Sequence, residues 1–551
     1  MKTFSARSRR TAHALVGGTL LLSLTATACA GGGTDETDSN SPTAKLSDKD
    51  IPAFTFALYS QPPGYDKATS TQPVTTGSFM SLVTEPLERT SPTGAFTPAL
   101  AEKVTQPDPT TIVYQLRSGV KFSNGAPLTA EDVAWSITHT ATPPAQTATS
   151  VQSFKSARVT GDRQVTVKLK EAAPNARAGL AGAALIQEKK FATAHKSKLG
   201  TSEAIPVGTG PYTVTSASAS GSTLARRNTY WGSMPKAKKI NIKVIPEDNS
   251  AQLAMRSGEV NLRQLTNVKT TPQWRAVPGT TVYSAPSSAL NFLTMDVTKA
   301  PFNDIHVRRA IAHAVDMSGL VKGAWGGEAT PHKGFLPAQN LAGVAGGKNN
   351  AQKFLDALPA YDFDLKKAKA ELSRSKHKDG FSTTVNYLDS VPATKVLALS
   401  LQQNLKTVGI DVQAKSTTLN AWSAKFFQHK LTGLNLAFGF STSAPDPSSM
   451  LSQVVGKDNI GPQKLNIANF TTPEVEKARP VVASAGADTP RWKASQTLLT
   501  QIAEQAPYVP LPSENFVMAM GKGFASSTGK ITTEDFFDGS WALHLRATQA
   551  Q

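Results

Sequence analysis

Alternating and helical hydrophobic patterns follow one another along most of the chain, with no internal repeat. In 111–116, Ile112, Tyr114 and Leu116 fall on one face, which predicts a half-buried strand. Ile240, Ile242 and Val244 predict a second. Asn124-Gly125 marks a turn. Thr129, with Asp132 three residues on, has the form of a capping box heading a helix that carries Val133, Trp135 and Ile137. Asp304 can cap a predicted helix over 304–316, whose stripe is Val307, Ala310, Ile311 and Ala314. A further helix is predicted over 396–408, with Leu397, Leu401, Leu405 and Val408 inward. Gly409 follows at its left-handed end, and Ile410-Asp411-Val412 opens a strand. Mixed elements of this kind predict α/β domains, and 551 residues allow two or three of them.

The first residues break the pattern. Lys2, Arg7, Arg9 and Arg10 precede a short apolar stretch over 14–24, and Ala26, Thr27 and Ala28 lead into Cys29. Residues 1–28 are read as a lipoprotein signal peptide and Cys29 as the lipid-bearing first residue of the mature chain. Ala26 stands where the lipidation motif usually has Leu. The Arg9-Arg10 pair leaves export by the general or the twin-arginine route open. Residues 29–49 are rich in Gly, Ser, Thr and Asp and are read as a flexible tether. Cys29 is the single cysteine, so no intramolecular disulfide supports the fold. No later stretch has 18 consecutive apolar residues, which leaves the lipid as the expected membrane anchor. The expected location is the outer face of a bacterial cell membrane.

Composition removes other classes. Hydrophobic residues make up 39% and the mean hydropathy is −0.24, which excludes a polytopic membrane protein. The net charge of +18 is spread without a dense basic run or interleaved aromatics, which argues for a basic surface over nucleic-acid binding. It remains compatible with an anionic ligand or an anionic envelope. The nine histidines show no HExxH pair, and no thiolate site is possible, so no metal or cofactor is expected. Neither a GxSxG elbow nor a Walker A loop occurs. Ser373-Arg374-Ser375-Lys376 matches the bare SxxK pattern of penicillin-recognising enzymes, but no KTG accompanies it, and a solvated helix end is the better reading. A non-enzymatic protein is expected.

Ordered motifs point to a family. They begin with Pro98-Ala99-Leu100-Ala101-Glu102 and with Leu116-Arg117-Ser118-Gly119-Val120-Lys121-Phe122-Ser123-Asn124-Gly125, continued by Pro127-Leu128-Thr129-Ala130-Glu131-Asp132-Val133. Gly208-Thr209-Gly210-Pro211-Tyr212, Tyr230-Trp231 and Ser257-Gly258-Glu259-Val260 follow. Then come Pro301-Phe302-Asn303-Asp304, Val307-Arg308-Arg309-Ala310-Ile311, Pro445-Asp446-Pro447 and Ala506-Pro507-Tyr508-Val509-Pro510-Leu511. Over about residues 50–520 the chain resembles the extracytoplasmic solute-binding proteins of the peptide/nickel group that serve ABC importers. Most of these motifs mark scaffold. Gly208, Gly210 and Pro211 suit a turn of unusual backbone angles, and Arg308 and Arg309 suit pairing with surface carboxylates.

The resemblance implies a periplasmic-binding-protein-like fold of type II, with two hinged lobes and an extra domain that does not touch the ligand. Lobe I would comprise 50–96, 208–284 and 515–551, the extra domain 97–207, and lobe II 285–514. It implies a monomer that closes on a solute and presents it to permease subunits. The expected ligand is a peptide or peptide-like solute, with an oligosaccharide or metal chelate as the alternative and a secreted serine hydrolase as a remote one. The implied ligand-facing residues are Glu85, Gly439, Phe440, Ser441, Thr442, Ser443 and Asp446. Phe440 replaces the Trp common in the family. Ser443 replaces the Asp that commonly receives a peptide's α-ammonium group. Either Glu85 or Asp446 then supplies the charge, or the ligand has no free amine.

Overall fold

The computed structural model describes residues 45–441, 446–484 and 486–549. The signal segment, Cys29, Thr442 and Ser443 lie outside these. The tether boundary at 49 needs correction: Leu46–Ser47 is a strand paired with Leu545–Thr548, and Asp48 lies 3.3 Å from Arg546. These residues are docked because both edges of the strand Leu545–Thr548 are used, the other by Phe524–Ser526.

Three larger sheets organise the body. The first has seven strands, in the order Thr281–Ala285, Phe516–Met520, Leu262–Gln264, Phe54–Leu58, Lys239–Val244, Gly221–Arg226 and Tyr212–Ser218. Phe54–Leu58 is parallel to both of its neighbours and reads Phe-Thr-Phe-Ala-Leu, nearly all buried, as a strand covered on both faces should. The second sheet has five strands: Ile410–Thr417, Phe381–Leu388, Leu434–Ser441, Ala289–Thr294 and Tyr508–Leu511. The third is a four-stranded antiparallel sheet of Ala101–Asp108, Thr111–Leu116, Gln164–Leu169 and Phe154–Gly161. It is inserted between the early strands and Tyr212–Ser218 of the first sheet.

Several predicted elements appear as drawn. Thr129 and Asp132 make the reciprocal capping box of Ala130–Ala141. Gly409 ends Pro392–Val408 with φ +103°, a conformation that costs a glycine little. The helix predicted over 304–316 stops earlier, as Ile305–His313, because Asp316 caps a second helix, Met317–Trp325. Two motif readings change. Gly208 and Gly210 do not have positive φ. They are glycines because backbone packs on them: a Cβ on Gly208 would lie 2.1 Å from Val83 O. Arg308 and Arg309 do not meet carboxylates. Arg308 donates to Gln505 O (2.8 Å) and Phe302 O (2.7 Å), and Arg309 to Glu504 O (2.9 Å). At Gln505 O and Glu504 O they satisfy carbonyls left over at the end of the helix Asp488–Gln505, where cations belong.

The chain passes between the seven- and five-stranded sheets twice, from Ala285 to Ala289 and from Leu511 to Phe516. The two crossings are laced together. Ser287 Oγ donates to Glu514 O (2.6 Å), and Ser513–Glu514 pairs with Ala329–Thr330. Glu328, itself buried, accepts from Ser284 Oγ (2.5 Å) and pairs with Arg275 (2.5 Å). One hydrophobic core runs past this seam, holding Ala57, Trp274 and Ala519 together with Leu293, Leu397 and Leu434. Among the described residues no helix is long and apolar enough to cross a membrane.

Candidate functional site

Beside the two crossings lies a cavity of about 780 Å³, within the range that holds small ligands. Tyr59, Lys67 and Val74 form one part of its wall, and Glu88, Arg89 and Ser91 another. The crossings contribute Ser287 to Ala289 and Glu514 to Val517, with Gln264 to Thr266 beside them. Glu534, Phe537 and Asp538 complete that side. Thr149, Ser150, Gly179 and Gly182, all from the region of the four-stranded sheet, also line it. The region expected to stay clear of the ligand thus contributes to the wall of this cavity. Its helix Ala176–Ala183 reaches the cavity because Gly179 packs on the chain, where a Cβ would meet Ser150 O at 2.3 Å.

The residues anticipated as ligand-facing fall in different places. Glu85 is fully buried and saturated. It accepts from Tyr230 Oη (2.7 Å), Trp231 Nε1 (2.8 Å) and Thr209 Oγ1 (2.9 Å), and Arg89 lies 3.3 Å away. Its backbone bridges to Ile186. It is a structural carboxylate joining the inserted domain to the first sheet, not a free charge for a ligand, which corrects that reading. Asp446 is likewise engaged: Arg491 Nη2 lies 2.6 and 2.8 Å from its two oxygens, and Ser448 N–H donates to it at 2.8 Å. Gly439 has φ +70° and donates to Asn291 Oδ1 (2.9 Å) at an irregularity in the strand pairing. Phe440 packs on Phe292 and Phe426. None of these four residues lines the cavity. The strand that carries Gly439 and Phe440 comes near it at Ser441, which pairs with the wall residue Ala289.

The charges on the wall are uneven. Glu88 is held by Arg177, whose Nε lies 2.8 Å from Oε2. Arg89 is shared between Glu85 and Asp538, the latter at 3.4 Å. Burial raises the Asp538 carboxyl in spite of Arg89, and raises Glu534 as well. Two further groups have no opposite charge beside them among the described residues. Burial pushes the Glu514 carboxyl up to about 7 and the Lys67 amine down to about 8. No motif pointed to either. Glu514 stands just beyond the Ala506–Leu511 motif, and Lys67 lies in a polar run with no pattern at all.

Ser373 ends the helix Leu365–Ser373, with its exposed hydroxyl donating to Ala370 O (2.8 Å). No group of three or more His, Cys, Asp or Glu among the described residues could hold a metal ion.

A two-crossing pair of α/β lobes with an inserted domain and a cavity at the crossings is the architecture of an extracytoplasmic solute receptor. Residues 95–462 match the family described as bacterial extracellular solute-binding proteins, family 5 Middle, and the chain belongs to this family. Members are the receptors of ABC importers, which act with permease subunits; they bind solutes and are not enzymes. The glutathione-binding protein GsiB of Escherichia coli O6:K15:H31 (strain 536 / UPEC) is 26% identical over 444 residues, 77% of this chain and 81% of GsiB. HbpA2 from Haemophilus parasuis superposes with a TM-score of 0.78 at 18% identity, over 90% of this chain and 100% of its own. The periplasmic binding protein DppA from Helicobacter pylori, in complex with the peptide STSA, gives a TM-score of 0.66 at 20% identity, over 91% of this chain and 99% of its own. The fold is that of type II periplasmic binding proteins.

Proposed function

We propose that this receptor takes up short peptides or peptide-like solutes and works at the outer face of the cell membrane, anchored by a lipid on Cys29. The observation that carries the ligand class is the cavity itself. Its walls include strand ends and the segments joined to them at 264–266, 287–289 and 514–517, and strand backbone at a cavity wall suits an extended peptide. Polar Gln264, Thr266 and Ser287 lie there together with apolar Leu265, Phe516 and Val517. GsiB, named for a tripeptide, and DppA, solved with a tetrapeptide, support the same class.

The test is native mass spectrometry of the protein expressed from residue 45 onward, read for ligand retained from the cell. A heterogeneous series of short peptide masses is expected. A single non-peptide mass would replace the peptide reading with that solute.

A further inference from the structure

Two unmatched charges on one cavity wall ask for a ligand that carries both of their opposites. We infer that Glu514 and Lys67 are the charged poles of the cleft, receiving the ammonium and the carboxylate of a zwitterionic short peptide. This rests on the peptide reading above and deepens it.

Glu514 is held in place by its backbone. Its strand pairs with Ala329–Thr330, and its carbonyl takes the Ser287 hydroxyl at 2.6 Å. Its carboxylate has no hydrogen-bond or ion-pair partner among the described residues. Fixed backbone with an unspent charge is what a preorganised binding group needs. Lys67 is placed as firmly. The neighbouring Asp66 is buried and bonded to His139 Nε2 (2.7 Å) and Gln187 Nε2 (2.9 Å). The Lys67 stem lies over Gly77, where a Cβ would come within 3.0 Å of its Cε. Its amine donates to Gly182 O, and an ammonium has two further donors to give.

The two groups do not neutralise each other, since no ion pair joins them, and each sits where burial penalises its charge. Withdrawing two unpaired charges from water costs several kcal/mol unless a partner arrives. The other charged residues of the wall are accounted for differently. Glu88 and Arg89 have protein partners, Asp538 shares Arg89, and Glu534 stands beside the acidic Asp535 and Asp538. With Glu85 and Asp446 both engaged, Glu514 is the wall carboxylate left to meet an amine.

Trialanine, its N-acetyl form, its C-terminal amide and the doubly blocked form test this by titration calorimetry. Glu514→Gln should weaken the two free-amine peptides roughly 10- to 100-fold, the worth of a charge-assisted hydrogen bond, and leave the two acetylated ones within about twofold. Lys67→Met should do the same along the carboxylate axis, separating acids from amides. Glu534→Gln should leave both preferences intact. A second readout needs no variant. At pH 6 Glu514 is mostly protonated, so binding a free amine should expel most of a proton, and an acetylated peptide none.

If the peptides bind but Glu514→Gln and Lys67→Met treat free and blocked forms alike, or Glu534→Gln erases the amine preference, the pole assignment is wrong while the peptide reading stands. If none of the four peptides binds the unmodified protein, the peptide reading falls and takes the poles with it.

Discussion

Glu85, where the inserted domain joins the first sheet, is fully buried, and Glu514, at the second crossing between the lobes, is partly buried; their surroundings are opposite. Glu85 is enclosed by a tyrosine, a tryptophan, a threonine and an arginine, every one a donor. Glu514 lines the cavity, and no donor among the described residues meets its carboxylate. A buried carboxylate that the protein saturates holds structure together. One left unsaturated raises the energy of the empty protein and stores affinity for whatever brings the missing donors. The family motifs surround the first kind, through Thr209 and the Tyr230-Trp231 pair, and stop short of the second.

The sharpest way to break this comparison is to remove Glu85. Glu85→Ala strands a buried tyrosine hydroxyl and leaves Arg89 with Asp538 alone, so unfolding free energy should fall by about 3–5 kcal/mol. Urea denaturation reads this directly. Trialanine affinity, measured where the variant is still folded, should be unchanged. A stable variant with lost affinity would make Glu85 a ligand group after all.

Glu514→Gln should move stability the other way. The carboxyl's folded value of about 7 lies above its ordinary value of 4.5, so between those limits the folded state holds more protons than the unfolded one. Stability therefore falls as pH rises through that window, by about 2–3 kcal/mol for a group of this partial burial. The glutamine variant lacks this loss. It should match the unmodified protein near pH 4.5 and exceed it by that amount at pH 8, in ligand-free urea melts. A variant weaker than the unmodified protein at pH 8 would mean that Glu514 has a structural partner.

The contrast also explains what could be read from the chain alone. The strand Thr111–Leu116, the Thr129 cap and the Gly409 helix end were legible because each rests on local periodicity or a local backbone need. The family followed from short motifs kept in order. The glycines at 208 and 210 were legible as glycines but not for their reason, which is contact with Val83, more than a hundred residues away in sequence. The wall of the cavity was illegible for the same cause. Lys67, Gly182, Ser287 and Glu514 come from four distant segments, and no one-dimensional pattern marks a carboxylate as unpartnered.

Asp446 lies between the two extremes and gives the smallest effect. It caps the short turn Pro447–Ser449 and holds Arg491, whose side chain is only 6% exposed against 20% for the aspartate. Asp446→Asn keeps the shape and the cap but removes the charge facing that guanidinium. Arg491 would retain Asp488 at 3.7 Å, an exposed partner that compensates weakly. A stability loss of about 1–2 kcal/mol is expected. The same variant decides whether the ammonium pole lies in the lobe II loop or at the crossing. With Asp446 spent on Arg491, the preference for free over acetylated trialanine should survive Asp446→Asn and vanish in Glu514→Gln. The reverse result would place the pole beside Ser443, make Arg491 a spectator, and return Glu514 to the ordinary class of partly buried acids.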